Sequence, residues 1–122
     1  MMSTVLIAST STDLRHSMYQ NLTTRGYKVL DAVNGHEVLL KLNVNEQIDL
    51  ILSDQYLPDM DCFNLVRQIR NIRLFEFLPV VIMTSEKTKK IENEGLAAGV
   101  TGWISPPINY DNVITVFKRL IH

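Results

Sequence analysis

Residues 48–61, IDLILSDQYLPDMD, carry one carboxylate, Asp54, to the end of an apolar run of strand length, and Pro58 then breaks the chain into a loop. In open α/β sheets the ligand crevice lies beyond the carboxyl ends of the strands, so an acid delivered there meets ligand and solvent rather than core. The neighbouring apolar runs end in hydroxyls: Ser9 and Thr10 after the first, Thr84 and Ser85 after the fourth, and Ser105 followed by Pro106 after the fifth. The sheet would therefore gather one acid among hydroxyls. Such an acid is either a site residue or a structural group satisfied by the Ser9, Thr10 or Thr84 hydroxyls and nearby amides.

Other chemistries fit the spacing poorly. Asp54, Asp59 and Asp61 lack the loop glycine and distal glutamate of an EF-hand, and Asp59 or Asp61 suits a helix N-cap. His16, His36 and His122 are scattered, with no cysteine or acid at zinc-ligand spacing, and read as surface residues. A Ser9, Asp54 and histidine triad fails because His16 falls well inside a helical segment, away from the strand tips. Hydroxyls at Ser9, Thr10 and Ser85 allow a small-anion site, but that needs amides and cations that the pocket shows few of.

The elements that position these residues alternate. Strand-like runs occur at Val5 to Ala8, Tyr27 to Ala32, Ile48 to Ser53, Pro79 to Thr84 and Thr101 to Ile104. Between them lie helical stripes: Leu14, Met18 and Leu22; Phe63, Val66 and Ile69; and Tyr110, Val113, Ile114, Phe117 and Ile121. Ser11 or Thr12 can cap the first helix, with Gly26 after its end. The third and fourth strands are apolar almost throughout, as parallel strands covered on both faces must be, whereas Lys28 and Asp31 mark the second as an edge. A doubly wound α/β sheet follows, with five βα units. Gly95 and Gly99 lower helix propensity in the fourth helix.

The segments SDQYLPDMD (53–61), VVIMTSE (80–86) and AGVTGWISPP (98–107), in this order, resemble response-regulator receiver domains, the CheY-like family. The resemblance covers essentially the whole chain and implies a flavodoxin-like, three-layer sandwich with strand order 2-1-3-4-5. It implies that Asp54 is the position that accepts a phosphoryl group from a histidine kinase, that Thr84 bonds the phosphoryl oxygen, and that Trp103 is the aromatic that reorients on activation. In the family, Mg²⁺ is held by an acidic pair, the acceptor and a backbone carbonyl two residues on, here Tyr56, and a lysine follows the fifth strand. The matching positions read Ser9, Thr10 and Pro106. Mg²⁺ is expected to bind weakly if at all, because it is usually held through carboxylates and Asp54 alone supplies charge. Proline has neither charge nor N–H to replace the lysine. The expectation is a degenerate receiver that needs no cofactor, catalyses no reaction, and acts by docking a histidine kinase or output protein on the face from Lys87 to Ile121. The alternative is a working receiver, phosphorylated slowly on Asp54.

Composition sets the frame. At 122 residues and 46% hydrophobic, the chain suits one domain, residues 1–122. A net charge of -1 gives no long-range attraction to nucleic acid or anionic membranes, and no apolar run approaches the roughly 18 residues needed to span a bilayer. The start, MMSTVLIAS, lacks the features of a signal peptide, and the lone Cys62 permits no internal disulfide; a cytoplasmic protein is expected. Arg67, Arg70 and Arg73 read as a solvated stripe, as do Lys87, Lys89 and Lys90. Leu74, Phe75 and Phe77 are expected to cover the sheet edge rather than form a contact patch.

Overall fold

The computed structural model describes residues 2–44 and 47–121, so His122 lies outside the described residues. Five strands, β1 (Thr4–Ala8), β2 (Lys28–Ala32), β3 (Leu50–Asp54), β4 (Val80–Met83) and β5 (Gly102–Ile104), alternate with five helices. These are α1 (Thr12–Thr24), α2 (Gly35–Asn43), α3 (Cys62–Arg70), α4 (Lys89–Ala98) and α5 (Tyr110–Leu120), with a 3₁₀ turn at Arg73–Phe75. The strands are all parallel, in the order 2-1-3-4-5, as expected, and each lies within two residues of the run read from sequence. β2 is an edge, and Lys28 and Asp31 are its exposed residues.

Strand alternation divides the core between two faces. Leu6, Ala8, Ile51, Val80 and Ile82 pack with α2, α3 and α4 residues such as Val38, Leu65, Ile69 and Ala98. Val5, Ile7, Leu50, Leu52, Val81 and Met83 pack with Met18 and Leu22 of α1 and Val113 and Phe117 of α5. Burying each of the larger side chains stabilises the fold by about 1.5–3 kcal/mol, and the alternation makes a one-residue register slip untenable.

The helix starts are capped by side chains. Ser11, Asn34, Asp61, Thr88 and Asn109 accept amides of the first turns of α1 to α5 respectively. Asp61, not Asp59, thus caps α3. Gly99 ends α4 in the left-handed region, φ +104°, so one of the two glycines suspected of weakening this helix terminates it.

Two expectations are corrected. Arg70 is not part of a solvated stripe: its guanidinium donates to the carbonyls of Phe75 (3.0 Å), Leu78 (2.6 Å) and Gly99 (2.8 Å), tying the end of α3 to the segments entering β4 and leaving α4. Burial lowers its pKa. Leu74 and Phe77 do not cover the sheet edge; they are 83% and 87% exposed, and of this trio only Phe75 packs against the core. The 3₁₀ turn rotates one side chain inward and leaves its neighbours in solvent. Among the described residues no helix is long and apolar enough to cross a membrane.

Candidate functional site

The register Ala8↔Ser53 makes Ser9 and Asp54 the next pair beyond the strand ends, and alternation sends both toward the α1 and α5 side. Ser9 is fully buried, and its Oγ accepts the Ser11 N–H at 3.1 Å. Asp54 is half-buried. Burial raises its carboxyl above the usual range, and the Ser9 hydroxyl and Thr10 amide pull it partly back. Beneath Ser9, Arg15 donates to the Ser9 carbonyl at 2.6 Å and pairs with Asp31 at 3.3 Å, so this cation supports the β1 tip from the β2 side.

One residue further along β3 and β4 lies a second polar pair. Asp54 pairs with Met83, so Gln55 and Thr84 come next, just beyond the paired positions. Both are buried, and the Thr84 hydroxyl donates to Gln55 Oε1 while its oxygen accepts the Glu86 N–H at 3.0 Å. Gln55 Nε2 reaches the Tyr56 hydroxyl at 3.3 Å. The Glu86 carboxylate, by its charge and a hydrogen bond, raises the pKa of the exposed Tyr56 phenol.

The loop from Tyr56 to Asp61 is closed by a bridge between these two residues. Asp59 reaches from it to α2, accepting the Gly35 and His36 amides at 2.9 Å each. Slight burial raises its carboxyl, but the Gly35, His36 and Asp59 amides together with the nearby His36 ring lower it more, and the net shift is downward. Of the three carboxylates that might have suggested calcium, Asp59 and Asp61 are therefore taken up by helix-start amides. Cys62, at the start of α3, is buried, and that burial, with Asp61 beside it, pushes its thiol up to about 12. A helix N-terminal cysteine is here an inert one.

Asp54 opens on a cavity of about 450 Å³ lined by Leu14, Met83, Pro106 and Ile108 on its apolar side and by Gln55, Tyr56, Thr84, Ser85 and Glu86 on its polar side. None of these ten lining residues, Asp54 included, is basic. Among the described residues no three histidine, cysteine, aspartate or glutamate side chains group closely enough to hold a metal ion.

The family described as "Response regulator receiver domain" matches residues 5–118. The chain belongs to this family. It is similar to the chemotaxis protein CheY1 of Helicobacter pylori, 30% identical over 104 residues that make up 84% of each chain. It is also similar to the sensor histidine kinase CheAY of that organism, 34% identical over 116 residues, 94% of this chain but 14% of the relative. It spans 56% of another relative, the probable transcriptional regulator ycf29 of Porphyra purpurea. The crystal structure of Vibrio cholerae chemotaxis protein CheY4 superposes with a TM-score of 0.94 at 30% identity, covering 99% of this chain and 100% of that one. Receiver domains are modules of two-component signalling rather than classical enzymes, and interact with histidine kinases and output proteins.

Within this receiver, Ser9 and Thr10 flank Asp54, while Tyr56, Thr84, Ser85 and Pro106 line the cavity with it. Trp103 stands apart: paired with Ile82, it faces α4, and its ring meets Phe63 edge-on at 6.3 Å over Gly95. Gln55, Asp59 and Arg70 were not singled out for these roles by sequence. The signal for Gln55 was present, since it follows the strand-end acid and falls in register with a hydroxyl.

Proposed function

We propose that this receiver is a protein-docking signalling module whose phosphorylation pocket is degenerate. The observation that carries the reading is the donor set around Asp54. Phosphoryl transfer depends on cations that neutralise the transferring oxygens while the acceptor is held in line. Here Ser9 and Thr10 present neutral groups, Pro106 presents none, and no lining residue is basic. The other carboxylate on the rim, Glu86, lies close enough to Tyr56 for its charge to raise the phenol's pKa. These residues do not fit Mg²⁺, which favours octahedral oxygen coordination and is usually bound through one or two carboxylates.

Output is then a surface. The segment from Lys87 to Ile121 carries exposed Lys87, Lys89 and Lys90, and Leu96 of α4 stands 78% exposed, an arrangement suited to a histidine kinase or an output protein. The test is incubation with Mg²⁺ and acetyl phosphate, followed by intact mass beside an ordinary receiver. No phosphoryl adduct is expected on the time scale that saturates the reference; labelling at the reference rate overturns the reading.

A second reading is a working receiver with slow modification of Asp54. It is favoured by the half-buried carboxylate opening on a cavity shared with Thr84 and Ser85. Slow labelling that disappears in Asp54→Asn would establish it.

A further inference from the structure

We propose that Gln55 is a positioning residue: its side chain fixes the Thr84 hydroxyl, and through it the segment leading into α4, in one place that does not depend on what happens at Asp54. This goes beyond the degenerate-pocket reading and takes from it only that Asp54 is the input position.

The sheet register puts the pair together. Asp54↔Met83 is the last paired position of β3 and β4, and the next residues, Gln55 and Thr84, meet through their side chains on the wall of the cavity onto which Asp54 opens. Both are nearly closed to solvent, at 7% and 5% exposure, so their polar atoms must satisfy each other. A hydroxyl has one proton, and that of Thr84 goes to Gln55 Oε1, leaving no donor for an anion at Asp54.

Gln55 is itself anchored at three points. Its backbone N–H donates to the Met83 carbonyl at 3.2 Å, its carbonyl accepts the Cys62 N–H at 2.9 Å, and its side-chain amide reaches Tyr56. On the other side the path continues without a gap. The Thr84 oxygen accepts the Glu86 N–H, the Glu86 carbonyl accepts the Thr88 N–H at 2.8 Å, and Thr88 caps α4 through the Ile91 N–H at 3.2 Å. A hydrogen-bonded chain therefore runs from the start of α3, through Gln55 and Thr84, to the first turn of α4. A hydroxyl released toward Asp54 would have to break it.

The experiment uses the 122-residue chain. Native-state amide exchange is measured for Glu86 and Thr88 in wild type, Gln55→Met and Gln55→Glu. Exchange should rise about tenfold in Gln55→Met, as for the loss of one buried hydrogen bond, and return toward wild type in Gln55→Glu, which keeps an acceptor oxygen. Gln55→Leu serves if Gln55→Met does not fold, since it removes the same acceptor and leaves the Thr84 oxygen that receives the Glu86 N–H in place. Separately, Mg²⁺ and beryllofluoride are added to wild type while amide shifts are followed. Shifts at Asp54 with residues 84–88 unmoved would count against the degenerate pocket and support the Gln55 latch. If Asp54 does not respond, exchange alone decides. Unchanged protection of Glu86 and Thr88 in Gln55→Met, or movement of residues 84–88 when beryllofluoride occupies wild type, overturns the proposal.

Discussion

Trp103 of β5 lies against Gly95 of α4 so closely that a β-carbon built on residue 95 would sit 2.8 Å from the indole Cη2 and nearer still to Cζ2. Glycine inside a helix costs about 1 kcal/mol relative to alanine, so its presence in α4 has to be explained by something other than helix stability. The explanation is the aromatic ring, which needs the volume a methyl group would take.

Gly95→Ala should therefore destabilise the protein despite its better helix propensity. Overpacking of this kind costs about 1–3 kcal/mol, and the gain in propensity offsets at most about 1 kcal/mol of it. A lower urea midpoint and altered Trp103 fluorescence are expected. In a Trp103→Ala background the sign should reverse, with Gly95→Ala neutral or stabilising by up to about 1 kcal/mol. A stabilising effect in the presence of Trp103 would show that the ring does not need this seat.

Asp59 joins the loop after β3 to the N-terminus of α2, and Asp59→Ala should cost about 1 kcal/mol, the usual worth of a carboxylate accepting first-turn amides. The pH dependence follows from the lowered carboxyl. Its contribution is fully present above the unfolded carboxyl's pKa of about 3.9, and is lost as pH falls through the lower folded value. Urea midpoints of wild type and Asp59→Ala should differ at neutral pH and converge as the solution is acidified below about pH 4. A constant gap would place the effect elsewhere.

Asp54 has the opposite sign. Its folded carboxyl is raised by burial, so its charge opposes folding at neutral pH and the penalty is relieved as pH falls through the folded value toward the unfolded one. Asp54→Asn is expected to raise the urea midpoint at pH 7, with the advantage over wild type shrinking on acidification. A lower midpoint for Asp54→Asn at pH 7 would mean that the carboxylate is held by stronger partners than the Ser9 hydroxyl and the Thr10 amide.

Arg70 closes three backbone carbonyls that lie in two segments, one entering β4 and one leaving α4, and truncating it leaves them without the donor that crosslinks them. Arg70→Ala should lower stability by about 2–3 kcal/mol, in the range of hydrogen bonds from charged donors. Arg70→Lys should recover only part of this, because an ammonium cannot reproduce the planar fork. Arg67 and Arg73, both exposed, serve as controls whose alanine variants should stay within about 0.5 kcal/mol of wild type.

The contrast among these arginines shows where sequence reading stops. Their i+3 spacing describes one helix face, but whether an arginine is solvated depends on carbonyls contributed by residues 75, 78 and 99, which no local pattern brings together. The strands were legible because two-fold alternation and length are local, and the meeting of Ser9 with Asp54 was legible because parallel strands end at one edge. The same rule, carried one residue further, puts Gln55 beside Thr84, a partnership that the residue types near the acid do not announce. Leu74, Phe75 and Phe77 could not be sorted without the 3₁₀ turn that points one inward. Gly95 read as a helix weakness because its reason, Trp103, lies on another element.

Cys62 gives the last prediction. Its place at a helix N-terminus would ordinarily favour the thiolate, but burial, with the Asp61 charge adding to it, outweighs the amides of Cys62 and Phe63 and pushes the thiol up to about 12. At pH 8 that leaves on the order of 10⁻⁴ of the thiol ionised, against about a quarter for a free cysteine of pKa about 8.5. The sulfur is also closed to solvent. Alkylation of the native protein by iodoacetamide at pH 8 should therefore be slower by about 10³ or more than in urea, and should follow the fraction unfolded as urea is added. Rapid native labelling would mean that the start of α3 opens readily. Gln55 accepts the Cys62 amide, so the anchor inferred for Thr84 would then be opening with it.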